Sequence, residues 1–198
     1  MTVTGGLSAH LLCAVPQLLD PNFERAVILM LEHNHEGALG LVMSDEMPNR
    51  LETVLDDLDV IWGGDAGVLL RKGGPVEPSR GWILHGTPEW DPTAQEVLRG
   101  VWLTTSLDEV DRGLAVGEEG EFVFLLGYAG WGPAQLEAEI AAGSWVAVPI
   151  GRGGDADGVP PRWLFETAPS DLWAKALGVV GIDPARLVGL PNREAALH

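Results

Sequence analysis

The sequence predicts an α+β fold with a largely antiparallel or mixed sheet. Apolar runs of strand length outnumber helical patterns along the 198 residues, and most are separated by loops of hairpin length. Few connections are long enough for the helical crossover that joins parallel strands. Because neither an internal repeat nor a change of composition marks a boundary, residues 1–198 are predicted to form a single domain.

The first clear element is a β-hairpin. Two apolar runs, 26–31 and 39–43, flank the polar, glycine-containing turn 32–38. Because both runs are apolar throughout, each strand is expected to be buried on both faces, with helices covering one side of the sheet. Asn49 and Glu52 then form a capping-box pattern, which predicts an amphipathic helix that extends to Leu58.

The middle of the chain contains short strand patterns separated by turns. Gly73 to Val76 is expected to form a turn or bulge, and the Ser106 and Glu109 pair predicts a short helix that ends near Gly113. The predicted strands are 68–70, 82–85, 101–104, 121–126 and 145–148, together with an early strand that holds His10 and Cys13.

The segment from Gly127 to Glu139 is predicted to join a loop to a helix. Gly127 to Gly132 is expected to be the loop, and Pro133 suits the first position of a helix over 133–142. Gly143 follows where a left-handed C-cap is favoured. Residues 152–161 are predicted to form a mobile loop, Ser170 to cap a helix through Leu177, and Gly181 to Pro184 to begin a last helical turn.

Short motifs spread along the chain occur in the order found in one bacterial family. The motifs are Leu18-Leu19-Asp20-Pro21, Glu32-His33-Asn34, Gly40-Leu41-Val42, Gly73-Gly74-Pro75-Val76, Gly127 to Pro133 with Gln135-Leu136-Glu137 and Glu139, Leu172-Trp173 and Gly181-Ile182-Asp183. On these residues the chain resembles the AlgH/YqgE family over roughly residues 5 to 190.

This resemblance implies an α+β fold with a mixed, mostly antiparallel, barrel-like sheet flanked by helices. It implies no established activity and no agreed catalytic or binding residues, although family members are commonly labelled transcriptional regulators. Where the family usually carries an Asn and a Pro, this chain has Ser44-Asp45-Glu46. Ser44 keeps hydrogen-bonding capacity at that position but lacks the amide.

Composition narrows the partners and the compartment. The 29 acidic and 12 basic residues give a net charge of −17, so direct nucleic-acid binding is disfavoured and basic protein partners are favoured. Cys13 is the single cysteine, which suits a reducing cytosol. The early apolar run lacks the basic start of a signal peptide, and no run approaches the roughly 20 apolar residues that span a bilayer. A cytoplasmic protein is therefore predicted.

Two glycine-rich segments and a histidine form the candidate ligand or partner surface. The residues, which follow or end predicted strands and would line one cleft if they converge, are Gly73, Gly74, Pro75, His85, Tyr128, Gly130, Trp131 and Gly132. A glycine-rich loop before a helix favours anions. However, no Lys, Ser or Thr follows as in a phosphate-binding loop, and Glu137 and Glu139 add negative charge. Close packing of Trp131 and Tyr128 is the structural alternative.

The hairpin turn supplies a second candidate site, His33 with Asn34. His33 and His35 would share one face of an extended chain, and His85 is a conceivable third metal ligand. A closed metal site needs three or four ligands, so we expect no metal. His33 is instead expected to hydrogen-bond locally in the turn, and His35 to face solvent. Asp155, Asp157 and Glu166 have the end spacing of a calcium loop but lack its central glycine, which excludes that interpretation.

Catalytic chemistry has little support in the sequence. There is no G-x-S-x-G motif. Cys13 lies in an apolar stretch, where burial raises the pKa of a thiol, and His10 is expected on the opposite face of the strand. We predict no catalytic residue and no cofactor. Most of the eight tryptophans are expected in the core, the others at pocket rims or interfaces where the indole N–H finds a partner.

These observations leave three hypotheses. The leading one is a non-enzymatic regulatory or protein-binding domain. The alternative is a small-ligand sensor or enzyme that uses a cleft lined by the segments Gly73 to Val76 and Gly127 to Gly132. The third is direct DNA binding, which only the family label suggests and which the net charge of −17 disfavours.

Overall fold

The computed structural model describes residues 6–18, 20–57, 69–105, 121–151 and 158–188. The strands in this part of the chain are β1 (His10–Ala14), β2 (Val27–Asn34), β3 (Gly37–Val42), β4 (Glu46–Arg50), β5 (Leu69–Lys72), β6 (Val76–His85), β7 (Gln95–Leu98), β8 (Val101–Thr104), β9 (Phe122–Trp131) and β10 (Trp145–Pro149). The helices are α1 (Leu51–Asp56), α2 (Gln135–Ala141), α3 (Trp163–Glu166), α4 (Pro169–Val179), α5 (Pro184–Val188) and a 3₁₀ turn, Pro88–Trp90.

The strands form one mixed sheet. Its main path runs β10-β1-β2-β3-β9-β6-β8-β7, and every pair along this path is antiparallel. Strand β5 lies off the path, where it pairs parallel with β9 and antiparallel with β4. The predicted fold class, α+β with a mostly antiparallel sheet and flanking helices, is confirmed. None of the helices in the described part has the length and apolarity that a bilayer crossing demands.

The predicted hairpin is strands β2 and β3, and its two faces are both buried. Alternate side chains project to opposite sides of a strand. Leu29 therefore packs in the larger core, which helix α4 covers, whereas Ile28 and Met30 pack in a smaller core against Leu136 of helix α2. A third cluster holds helix α1 against β5, β6 and β9. Helices thus cover both faces of the sheet, and not only one.

The predicted loop over Gly127 to Gly132 is wrong, because strand β9 continues through it to Trp131. Gly127 has a φ of 72°, a left-handed value that glycine tolerates, and it bends the strand without ending it. Beyond the bend, Tyr128 pairs with Val76 of β6, and Trp131 pairs with Ala38 of β3. Glycine content favours a loop in sequence-based prediction, but the ladder on both sides of β9 overrides it.

The predicted helix starts need correction. Helix α2 begins at Gln135 and not at Pro133, because Ala134 has a left-handed φ of 59°. The Asn49 capping box is wrong: Asn49 belongs to β4, and Arg50 precedes helix α1 without a side-chain cap. Ser170 lies inside the first turn of α4, which starts at Pro169. The left-handed Gly143 after α2 is confirmed, with a φ of 81°.

Part of the predicted mobile loop 152–161 is packed. Val159 is buried, its N–H donates to the carbonyl of Pro149 at 2.9 Å, and its carbonyl accepts from the N–H of Gly151 at 2.9 Å. These bonds place Val159 in a parallel bridge with Ile150, next to the end of β10. Residues 152–157, and the short helix predicted from Ser106 to Gly113, lie outside the described residues.

Candidate functional site

A surface groove of about 430 Å³ lies between the β2–β3 turn and the end of strand β9. This hairpin groove, as we call it, takes Glu32, Asn34 and Glu36 from the hairpin. Opposite them it takes Val76 from the start of β6 and the β9 residues Tyr128, Gly130 and Trp131. It therefore combines the two regions that the sequence predicts separately, the hairpin turn and the second glycine-rich segment.

Two glycines shape the hairpin groove. A Cβ atom on Gly37 would lie 2.3 Å from the carbonyl oxygen of Trp131, so only glycine lets the hairpin approach β9 this closely. Gly130 is exposed on the groove floor. A Cβ atom there would lie 3.3 Å from Cε2 of Tyr128 and 3.8 Å from Cγ2 of Val76. The absent side chain leaves the floor open between an aromatic ring and a methyl group.

The groove is anionic on its hairpin side. Within the described part of the chain, the carboxylates of Glu32 and Glu36 have no hydrogen bond or ion pair. Glu32 is half-buried and Glu36 is exposed. Desolvation of a charge without a partner is unfavourable. The hairpin side therefore presents negative charge that no described group of this chain neutralises.

The opposite side is aromatic and apolar. The ring of Tyr128 packs edge-on against Trp82 with centroids 6.0 Å apart. The Arg80 guanidinium lies 4.3 Å from the Trp82 centroid and 5.8 Å from the Tyr128 centroid, within the range of cation–π attraction. Glu77 holds Arg80 at 3.2 Å. Val76, 36% exposed, adds one of the few large apolar side chains that face solvent in the described part of the chain.

The first glycine-rich segment packs against β9 and does not line an open cleft with it. The N–H of Gly73 donates to the carbonyl of Leu126 at 2.7 Å, and a Cβ atom on Gly74 would lie 2.1 Å from the carbonyl carbon of Tyr128. Gly73, Gly74 and Pro75 therefore support the groove from beside it, and only Val76 of this segment reaches the lining. Gly132 lies next to Gly37 at the far rim.

His85 is not part of the groove. It pairs with Phe122 at one end of the β6–β9 ladder, whereas Val76 pairs with Tyr128 at the other, about 20 Å away at 3.3 Å per strand residue. The ring is fully buried. Its Nδ1 donates to the carbonyl of Thr87 at 2.8 Å, and Nε2 lies 3.0 Å from the hydroxyl of Thr104.

Asp91 completes this internal network, which sequence analysis missed. The Thr104 hydroxyl donates to Oδ2 of Asp91 at 2.8 Å, and Thr93 donates its N–H and hydroxyl to Oδ1 at 2.7 and 2.6 Å. Burial lowers the pKa of His85, an effect that the Thr87 carbonyl and Asp91 only partly offset. Burial would raise the pKa of Asp91, but the hydrogen bonds from Thr93 and Thr104 lower it overall. The D-P-T sequence at 91–93 is the signal of such a turn.

The hairpin histidines have separate roles. His33 Nε2 lies 3.0 Å from Oε1 of Glu137 in helix α2, so the predicted local bond in the turn is wrong. Asn34 makes the local bond instead, because its Oδ1 accepts the N–H of Glu36 at 2.8 Å. His35 is exposed, as predicted. The structure does not bring His33, His35 and His85 together, and the described residues contain no group of three possible metal ligands.

The end of the glycine-rich segment is held by one carboxylate. Oε2 of Glu139 accepts both indole N–H groups, from Trp131 at 3.0 Å and from Trp145 at 2.7 Å. Gln135 donates to Oε1 at 2.9 Å and accepts the N–H of Gly132 at 3.0 Å. Phe23 stacks on Trp131 and meets Trp145 edge-on. The indole of Trp131 packs in the smaller core, so Glu139 fixes the end of strand β9 from the sheet face opposite Tyr128, which is a positioning role.

Two further predicted residues have structural roles. Ser44 Oγ accepts the N–H of Val27 at 2.9 Å. The position therefore supplies a hydrogen-bond acceptor, and the serine hydroxyl does this without the side-chain amide of the asparagine that the family usually carries. Cys13 is buried, and burial raises the pKa of its thiol to about 12, which makes it inert as a nucleophile. His10 and Cys13, three residues apart on β1, project to opposite faces as predicted.

Comparison with solved structures defines the class of fold. The chain superposes on the solution structure of the AlgH protein from Pseudomonas aeruginosa with a TM-score of 0.73 and 29% identity, over 96% of this chain and 98% of that one. A crystal structure of a protein from Corynebacterium diphtheriae shares the fold at 19% identity, with a TM-score of 0.62 over 89% of this chain and 88% of that one. The class is the AlgH-type α+β fold, a curled half-barrel sheet with several helices.

The chain belongs to the AlgH-like family, whose model matches residues 11–185. A UPF0301 protein from Myxococcus xanthus is 42% identical over 183 residues, which cover 92% of this chain and 95% of the relative. A UPF0301 protein from Idiomarina loihiensis is 36% identical over 180 residues, 89% of this chain and 92% of the relative. The resemblance stated from the sequence motifs is therefore confirmed.

Proposed function

We propose that this chain is a non-enzymatic protein-binding domain that docks a partner protein in the hairpin groove. The proposal rests on the composition of this groove. The carboxylates of Glu32 and Glu36 lie in it together with the exposed Val76 and the ring of Tyr128. Exposed apolar and aromatic side chains are typical of the centre of docking surfaces, and polar or charged side chains are typical of their rim. A domain that regulates by binding a protein needs no basic surface for DNA, which agrees with the net charge of −17.

The buried positions of the reactive side chains also favour binding over catalysis. His85 is fully buried in a network with Thr104 and Asp91, and the Cys13 thiol is buried with a raised pKa. Within the described residues, the groove contains carboxylates and a phenol but no nucleophile hydrogen-bonded to a base. A nucleophile needs such an activating neighbour. The groove is therefore better suited to recognition than to chemistry.

The proposal is tested by filling the groove. Gly130→Leu places a side chain on the groove floor, and Gly178→Leu makes the same change on helix α4, where nothing lies within 4 Å. Both variants and the parent are immobilised and exposed to a lysate of the source cells. We expect a partner retained by the parent and by Gly178→Leu to be lost with Gly130→Leu. Equal retention of every protein by all three would contradict the proposal.

A small-ligand sensor is the second candidate. The observation in its favour is the groove volume of about 430 Å³, which falls in the range of small-molecule sites. A thermal-shift screen of metabolites separates the two candidates: a stabilising compound whose effect disappears in Gly130→Leu would favour the sensor. Direct DNA binding stays disfavoured by the net charge of −17, and retention of a DNA duplex at low salt would be needed to support it.

A further inference from the structure

We propose that the hairpin groove recognises a lysine or arginine side chain carried by an extended segment of the partner protein. The inference rests on the proposed function and names what the groove selects. The occupant follows from charge complementarity, because Glu32 and Glu36 line one side of the groove without a cation from the described chain. A ligand cation in the groove would supply the partner that the half-buried Glu32 carboxylate lacks among the described residues.

The rim of the groove already holds a cation by the same chemistry. Arg80 lies against the rings of Trp82 and Tyr128 and pairs with Glu77, so aromatic faces and a carboxylate together fix a guanidinium there. Tyr128 belongs to the groove lining as well. The groove offers the same two kinds of group, the ring of Tyr128 and the carboxylates of Glu32 and Glu36, and among the described residues no cation pairs with these two carboxylates.

Shape and net charge favour a protein segment as the carrier. A volume of about 430 Å³ admits one long side chain and the backbone on either side of it. Exposed Val76 offers an apolar contact for a neighbouring residue of that segment. The net charge of −17 steers basic partners toward the molecule and repels acidic ones. A phosphorylated or acidic segment would meet like charge in the groove and is excluded.

A phage-displayed library of random nonapeptides tests the inference. The parent chain is compared with Glu32→Gln/Glu36→Gln, with the matched control Asp56→Asn/Asp57→Asn on and just after helix α1, and with Gly130→Leu. We expect the parent and the control to enrich peptides with a central lysine or arginine. Replacement of that lysine by norleucine, or of the two glutamates by glutamine, is expected to weaken peptide binding at least about tenfold.

The outcomes separate the two proposals. Some peptides could need Gly130 but show no preference for lysine or arginine, or bind Glu32→Gln/Glu36→Gln as tightly as the parent. Either result would overturn the cation inference but would still support docking in the groove. Peptides enriched equally by the parent and by Gly130→Leu would overturn both. Free spermidine forms a separate arm: if it occupies the groove while no peptide is enriched, the occupant is a small amine and the inference is wrong.

Discussion

At the scale of single residues, Glu139 shows how one side chain organises the motif that marks this family. Its carboxylate accepts two indole N–H groups and one amide N–H. Glu139→Ala would leave the buried indoles of Trp131 and Trp145 without this acceptor. Because hydrogen bonds to a charged group contribute about 1.5–3 kcal/mol each and neighbouring losses are not additive, we expect a loss of roughly 2–4 kcal/mol in the free energy of unfolding.

Urea denaturation followed by tryptophan fluorescence measures this loss. Glu139→Gln keeps one acceptor oxygen and is expected to lose less than Glu139→Ala. Glu137→Gln, two residues away on an exposed position, serves as the control, and its smaller effect reports only the bond to His33. Equal stability of Glu139→Ala and the parent would show that the indoles find other acceptors, and the positioning role would be wrong.

Residue chemistry also explains what sequence analysis missed at the site. The aromatic and glycine residues Tyr128, Gly130 and Trp131 are prominent in the sequence and do line the groove. Glu32 and Glu36 resemble the other acidic residues of an acidic chain, and only the fold reveals that no cation among the described residues pairs with them. His85 has the same appearance as a site histidine, but its neighbours Asp91 and Thr104 come from a turn and a strand that the sequence does not connect to it.

At the scale of elements, glycines on the sheet and on helix α4 are expected to behave oppositely. Gly178 lies near the end of α4, is exposed, and an added Cβ atom meets nothing within 4 Å. Gly178→Ala is therefore expected to stabilise the protein by up to about 0.5–1 kcal/mol, because alanine restricts the unfolded chain and favours helix.

Gly40 on β3 is the contrasting position. A Cβ atom there would lie 2.6 Å from Cγ2 of Ile28 and 2.8 Å from the carbonyl oxygen of Leu29, inside the hairpin. Gly40→Ala must displace β2 from β3, and such overpacking costs about 1–3 kcal/mol. Thermal unfolding of the two variants checks the pair of predictions. A Gly40→Ala variant as stable as the parent would mean that the hairpin has more space than the structure shows.

The elements that sequence analysis predicted best are those with continuous apolar runs. The β2–β3 hairpin has two such runs, so burial on both faces followed directly. Strand β4, Glu46–Arg50, was missed because its residues are mostly exposed and it contains a proline. The sequence predicts that strand β9 ends before Gly127, because glycine has low strand propensity. Pairing with β3, β5 and β6 instead decides the conformation of this segment.

At the scale of the whole molecule, the free energy of unfolding is expected to decrease as the pH falls below neutrality, because His85 is buried. The pKa of buried His85 is lower than the ordinary value of 6.5, so the unfolded chain takes up its proton first. The stability contributed by neutral His85 is fully present above pH 6.5 and decreases as the pH falls from 6.5 toward the lowered pKa. The lowered pKa of Asp91 keeps that carboxylate charged through this window.

His85→Asn tests the pH dependence. The variant loses buried contacts and is expected to be less stable than the parent at neutral pH, but its free energy of unfolding should change less between neutral pH and about pH 5. Urea denaturation at several pH values gives both slopes. Parallel slopes for the two proteins would show that His85 is not the titrating group.

Site-specific photo-crosslinking measures whether a partner docks in the hairpin groove. Benzoylphenylalanine replaces Val76 at the groove or Val180 after helix α4, two apolar residues of nearly equal exposure, 36% and 37%. We expect a discrete crosslinked partner from position 76 in the source cells, absent from position 180 and lost when Gly130→Leu is added. No adduct at position 76, or the same adducts at both positions, would contradict it.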